Sequence, residues 1–155
     1  MPDVNLDPDP LPLSAIDDCP LCQEDGGVLV LRNDLLRVVL VDDAEYPGFC
    51  RVILNPHVRE MTDLDPARIA RVMGAVFAVE DAQRAVLAPL KINLASFGNL
   101  VPHLHWHVIP RFGDDPHFPQ PVWGARQREA DPRRLAERIA RLPALVQEIA
   151  ARIPG

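Results

Sequence analysis

The chain has 155 residues, 48% of them hydrophobic and 25% charged, the balance of a soluble globular domain with an ordinary core. A net charge of −6 leaves no broad basic face for nucleic acid, so a phosphate-bearing ligand has to be caught by local donors. No run reaches the ~18 apolar residues of a membrane span, no secretory signal opens the chain, and three cysteines speak against a disulfide framework and for a cytoplasmic setting.

Residues 1–18 read as a Pro/Asp-rich N-terminal tail, with proline at positions 2, 8, 10 and 12 preventing helix or ladder. Residues 19–155 are expected to form a single domain. Its first motif is Cys19-Pro20-Leu21-Cys22. Alone, this pair fits half a zinc knuckle, a redox couple or two unrelated thiols. Gly26-Gly27 opens a hairpin of two apolar runs, Val28–Leu31 and Leu35–Val41, with Asn33-Asp34 as the turn. Asp42-Asp43 follows and reads as a solvated loop. Tyr46-Pro47-Gly48 then turns the chain into a third strand, Phe49–Asn55, which Pro56-His57 breaks. By itself His57 is a loop residue.

Leu64-Asp65-Pro66 is a helix start, with Asp as N-cap and Pro at the first helical position. Ile69, Val72, Met73, Val76 and Phe77 recur at helical spacing and mark the expected buried face; the helix should reach about Leu87 and stop before Pro89. Leu90–Phe97 is a fourth strand, and Gly98-Asn99 turns it back into an antiparallel partner. That partner is Val101-Pro102-His103-Leu104-His105-Trp106-His107-Val108-Ile109-Pro110-Arg111, which holds three of the five histidines. In a strand, alternate side chains share a face and lie about 7 Å apart along it. His103, His105 and His107 therefore line one side, with Leu104, Trp106 and Val108 anchoring the other. A proline-rich loop follows, in which His117 and Trp123 either close over a ligand or pack on the body. Asp131-Pro132 caps a C-terminal helix whose apolar seam runs through Leu135, Ile139, Leu142, Val146, Ile149 and Ile153, with Pro143 kinking or breaking it.

Imidazole at neutral pH binds metals, moves protons or attacks electrophiles. Burying three such rings without a task is costly, and the run itself carries no carboxylate to complete a familiar hydrolytic metal centre. His103-Leu104-His105-Trp106-His107-Val108-Ile109 resembles the His-φ-His-φ-His-φ-φ signature (φ apolar) of the histidine triad, or HIT, family of nucleotide hydrolases and transferases. The resemblance spans roughly Cys19 to Arg111. It implies an α+β fold: an antiparallel sheet of about five strands, one long packed helix and a C-terminal helix.

The resemblance also implies roles. His105 would attack an α-phosphorus to form a nucleotidyl-histidine, His107 would assist the phosphate and the leaving group, and His103 would orient the row. Asn93 and Asn99 match positions where relatives place phosphate-binding amides, and Asp42 matches a ribose-binding acid, beside the turn and loop readings of Asn99 and Asp42. No cofactor is implied for the chemistry. Some relatives hold a structural zinc with a Cys-x-x-Cys, a later histidine and a triad histidine, matching Cys19, Cys22, His57 and His103. Two departures stand out: Phe49 replaces a histidine that supports the triad, and Leu100 replaces a small hydroxyl residue, for which Ser96 is the candidate substitute. The expected partner is a purine-nucleotide-type small molecule, with no nucleic acid and no membrane, and the expected assembly is a homodimer. The competing readings are a nucleotide-binding or zinc-stabilised interaction protein with weak or no catalysis, and a metal-dependent hydrolase using the three histidines as ligands.

Overall fold

The computed structural model describes residues 16–155, so the expected tail lies, up to residue 15, outside the described residues. The elements in chain order are α1 (Pro20–Gln23), β1 (Val28–Arg32), β2 (Leu36–Leu40), β3 (Cys50–Leu54), α2 (Pro66–Leu87), β4 (Lys91–Ala95), β5 (His105–Arg111), α3 (Pro132–Ile139) and α4 (Leu142–Arg152). The five strands form one antiparallel sheet in the order β1-β2-β3-β5-β4, as the α+β reading expects. Asn33 makes the first turn work, its side-chain oxygen accepting the backbone N–H groups of Leu35 and Leu36 at 3.0 Å each.

Strand alternation divides the sheet into two faces. Leu36, Val38, Cys50, Val52, Leu54 and Val108 pack against α2 and α4 and form the main core. The opposite face carries two small clusters, one of Cys19, Leu21, Val39 and Ile53, the other of Tyr46, Phe49 and Ile109. Gly48, at φ +88 with the Leu87 side chain 2.5 Å from any added Cβ, lets the chain enter β3 tight against the end of α2.

Asp65 caps α2 by accepting the Arg68 N–H at 3.0 Å, and Ala88 ends it in the left-handed conformation at φ 48. The buried stripe passes through Val72, Ala75, Val76, Val79, Ala82 and Leu87. Phe77 lies off it and is 53% exposed, a correction to the expected face. Small alanines let the helix approach the sheet closely, and the bulky ring is left outside. The C-terminal helix is two helices. Pro143 sits in the first turn of α4, where its missing N–H costs nothing, so it starts a new helix instead of kinking an old one. Only α4 reaches the core, through Leu145 and Ile149, whereas Ile139 of α3 is 50% exposed. No helix among the described residues is long and apolar enough to cross a membrane.

Candidate functional site

The ladder of β5 begins at His105, four residues later than the alternating pattern suggests. The chain before it is turned: His103 N–H donates to the Val101 carbonyl at 2.8 Å and Leu104 N–H to the Val58 carbonyl at 2.7 Å. His103 is fully buried, and its Nε2 lies 2.6 Å from the Leu54 carbonyl. A carbonyl only accepts, so Nε2 carries the proton and Nδ1 keeps its lone pair. The His103 carbonyl in turn accepts from His105 Nδ1 at 2.6 Å, which leaves Nε2 of His105 unprotonated. The three rings therefore do not converge on a point. The ring of His103 turns to the cysteines, and its backbone turns to His105.

His105 and His107 share the sheet face away from α2, with ring centroids 4.9 Å apart at 82°. Across the ladder, Ile53 pairs with His105 and Arg51 with His107. A cleft of about 380 Å³ opens over them, lined by Phe97, Asn99, Leu100, Val101 and Trp123 together with the two histidines. His107 is enclosed by aromatic rings: Phe49 at 5.6 Å, Trp123 at 5.2 Å and Phe97 at 6.2 Å. Its Nδ1 is buried with no hydrogen-bond partner, and Phe49, which stands where the resemblance leads one to expect a histidine, has no polar atom to offer. Burial, then the neighbouring His105 and Arg51 charges, pull the His107 pKa down to about 4, so the ring is neutral at pH 7.

That depression has a stability consequence. Below pH ~6.5 the unfolded chain protonates this histidine while the folded chain does not, so stability present above pH ~6.5 is lost as pH falls towards 4. Urea unfolding at pH 7 and 4.5 should show His107→Phe escaping about 2 kcal/mol of the wild-type acid loss. Identical pH dependence in the two proteins would contradict the neutral, desolvated ring.

Asn93 of β4 pairs with Ile109, two pairs beyond Ala95 and His107, and so lies on the same face. Its side-chain oxygen accepts from Arg111 at 2.7 Å, which leaves its NH2 group outward. Arg111 is 2% exposed and also grips Asp115 through Nε at 2.8 Å and a terminal nitrogen at 3.0 Å. Asp115 accepts the N–H groups of Phe112, His117 and Phe118, so this buried pair ties down the loop that carries Trp123. His117 is held by the Tyr46 hydroxyl at 2.6 Å and stays out of the cleft lining, whereas Trp123 is in it. Asn99 is exposed in the turn at the cleft rim, and Asp42 is exposed just beyond β2. The Ser96 hydroxyl donates to the His105 carbonyl at 2.7 Å and so braces the strand. Sequence reasoning missed Arg51 and the network around Arg111; the available signal was a lone arginine inside the apolar run of β3 and another at the last position of β5.

Cys19, Cys22, His57 and His103 form a separate cluster whose ligand atoms all lie within 4.8 Å of one another. Cys19 Sγ is 3.4 Å and Cys22 Sγ 3.5 Å from His103 Nδ1, and Cys22 Sγ is 3.3 Å from His57 Nδ1. The S···N edge of a tetrahedral zinc site with ordinary bond lengths is about 3.5 Å, so these residues fit that ion. The proton of His103 is on the far nitrogen, anchored to a carbonyl, as a metal-binding imidazole requires. Burial raises the Cys19 thiol pKa, so a thiolate there needs a cation beside it.

An antiparallel α+β sheet that delivers alternating imidazoles from its inner strand to an apolar cleft defines a histidine triad domain. A family model described as HIT domain matches residues 23–114, and the chain belongs to the HIT family. An "AP-4-A phosphorylase" of Mycobacterium tuberculosis is 30% identical over 142 residues, covering 85% of this chain and 73% of that protein. A histidine triad protein of Bradyrhizobium japonicum has a similar structure, with TM-score 0.66, 28% identity, and 84% of this chain and 92% of that one covered. A Zn-bound histidine triad family protein of Mycobacterium smegmatis shares the fold at TM-score 0.58 and 20% identity, over 86% of this chain and 96% of that one.

Proposed function

We propose that this protein is a nucleotide hydrolase or nucleotidyl transferase that attacks an α-phosphate with His105, and that residues 19–155 act as one catalytic domain. The observation that carries the reading is the bond from His105 Nδ1 to the His103 carbonyl at 2.6 Å. It frees the Nε2 lone pair for attack, and the same carbonyl then stabilises the imidazolium formed when phosphorus is bonded. In the first step the Nε2–P bond forms and the bond to the leaving group breaks. His107 hydrogen-bonds the phosphate or bridging oxygen and helps the leaving group depart. In the second step water attacks phosphorus, the P–N bond breaks, and a nucleoside monophosphate is released. The outward NH2 of Asn93, with its oxygen held by Arg111, and the Asn99 amide supply donors to the phosphate, and Asp42 serves the ribose. Dinucleoside polyphosphates and nucleoside phosphoramidates both suit this chemistry, the former supported by the relative named for AP-4-A.

Cys19, Cys22, His57 and His103 would hold a structural zinc, which when bound supplies a rigid cross-link rather than a reacting centre. The cross-link would fix the His103 backbone and, through it, the nucleophile. A homodimer is supported by β4, an edge of the sheet with exposed Leu90 and Phe97 just beyond its two ends; light scattering of the pure protein reads its mass directly. The second reading, a nucleotide-binding or zinc-stabilised interaction protein with weak catalysis, is favoured by one observation, the buried His107 Nδ1 without a partner.

The two readings separate in an intact-mass experiment. Brief mixing with diadenosine polyphosphates or with adenosine and guanosine phosphoramidates, followed by quenching, should show one added nucleotidyl group (a nucleoside monophosphate less water) per chain. Tight nucleotide binding without adduct or turnover on the whole panel would favour the binding protein.

A further inference from the structure

Three arginines within the fold are withdrawn from water to different degrees, and they differ in what they hold. Arg37 donates to the carbonyls of Leu21, Glu24, Asp25 and Leu54. Arg111 forks onto the Asp115 carboxylate and adds Asn93 and the Gln120 carbonyl. Arg51 has one contact, from a terminal nitrogen to the Gly26 carbonyl at 3.1 Å, while its Nε is buried with no acceptor. Among the described residues no carboxylate pairs with it.

A guanidinium kept partly out of water without a counter-ion weakens the fold. Its position gives that cost a use. Arg51 is the cross-strand partner of His107 in the β3–β5 ladder, so it lies on the face that carries both site imidazoles, with Cβ atoms of the pair about 5 Å apart. Its charge already contributes to keeping His107 neutral. With a net charge of −6 on the whole chain, an unpaired cation beside the cleft is a local exception. Guanidinium is also the side chain best shaped to hold a phosphate through two donors.

We propose that Arg51 is an anion-binding residue of this site and receives a phosphate group of the nucleotide beside His107. The inference rests on the nucleotide reading above and adds a residue and a charge to it. The anion replaces the missing counter-ion, and the guanidinium offsets negative charge that neutral imidazoles and amides alone leave unmatched.

The test is calorimetric titration of AMP, and separately of inorganic phosphate, into wild type, Arg51→Leu and Arg51→Lys, with a melting curve for each. Arg51→Leu should bind both ligands about 10- to 100-fold more weakly yet melt at or above the wild-type temperature, because an unpaired charge has been removed. Arg51→Lys should fall between. Should Arg51→Leu fail to fold, Arg51→Gln, which keeps a donor for the Gly26 carbonyl, decides the same comparison. Affinities within about twofold of wild type overturn the role of Arg51, as does a loss confined to AMP, which would put the guanidinium on base or sugar. A wild-type protein that binds neither ligand overturns the nucleotide reading itself.

Discussion

His105→Ala should lower turnover by at least about a thousandfold, since removal of a covalent nucleophile leaves only binding and electrostatic stabilisation. The fold should survive. The variant deletes one hydrogen bond to the His103 carbonyl, a loss of about 1 kcal/mol, and the whole imidazole of a residue that is 8% exposed and lines the open cleft. Nucleotide affinity should change far less than turnover, because the donors proposed to hold the phosphate sit on Arg51, Asn93, Asn99 and His107. Steady-state kinetics, nucleotide titration and a melting curve on the same preparation separate these outcomes. Retention of near-normal turnover would remove His105 from the nucleophile role. The adduct experiment adds an internal check, since the added mass must disappear in this variant and persist in variants of other site residues that retain turnover. A centre built from three histidines around a metal lacks its third ligand, because the ring of His103, bound to the Leu54 carbonyl on one nitrogen and facing thiols on the other, is not available to it.

Much of this architecture was legible because it is local. Asp65-Pro66 and Pro89 bracket α2 by capping chemistry and a missing N–H, and the helix runs from Pro66 to Leu87. Asn33-Asp34 marks a turn through an amide that satisfies its own backbone, and His105 and His107 share a face because strands have period two. What was hidden depends on partners distant in sequence. Alternation alone put His103 in the same row, but Pro102 has no N–H and the turn before Leu104 delays the ladder, so the third ring finds the cysteines 84 and 81 positions away. Phe77 fits a helical stripe as well as Ala75 does; the close approach of the sheet decides between them. Arg51 and Arg111 carry no local mark of their roles, because nothing near them in sequence shows that one lacks a counter-ion while the other holds Asp115. The Cys19–Cys22 pair was readable as a motif, and its pairing with His57 and His103 came from family likeness, which the geometry now brings together.

Zinc removal should produce the largest stability change. With free zinc 100- to 1,000-fold above Kd, a site present only in the folded chain contributes about 3 to 4 kcal/mol, or roughly 10 °C in melting temperature for a domain of this size. Stripping the metal, or replacing Cys19 and Cys22 by serine, should cost that much and remove one zinc per chain by elemental analysis. The cost should grow with pH through the thiol range, because binding requires thiolates and burial holds the Cys19 thiol above its usual value. Activity should fall as well, through geometry and not through chemistry at the ion. The His103 side chain belongs to the cluster and its carbonyl fixes the proton on His105, so a loosened cluster lets the His105 ring rotate or change tautomer. Nitrogen-15 spectra of the histidines read that directly: the metal-loaded protein should hold His105 with its proton on Nδ1, and the stripped protein should average the two tautomers. Protein isolated without metal, with both thiols freely titratable and a melting temperature indifferent to added zinc, would dismiss the site and leave the His103 carbonyl to orient the nucleophile unaided.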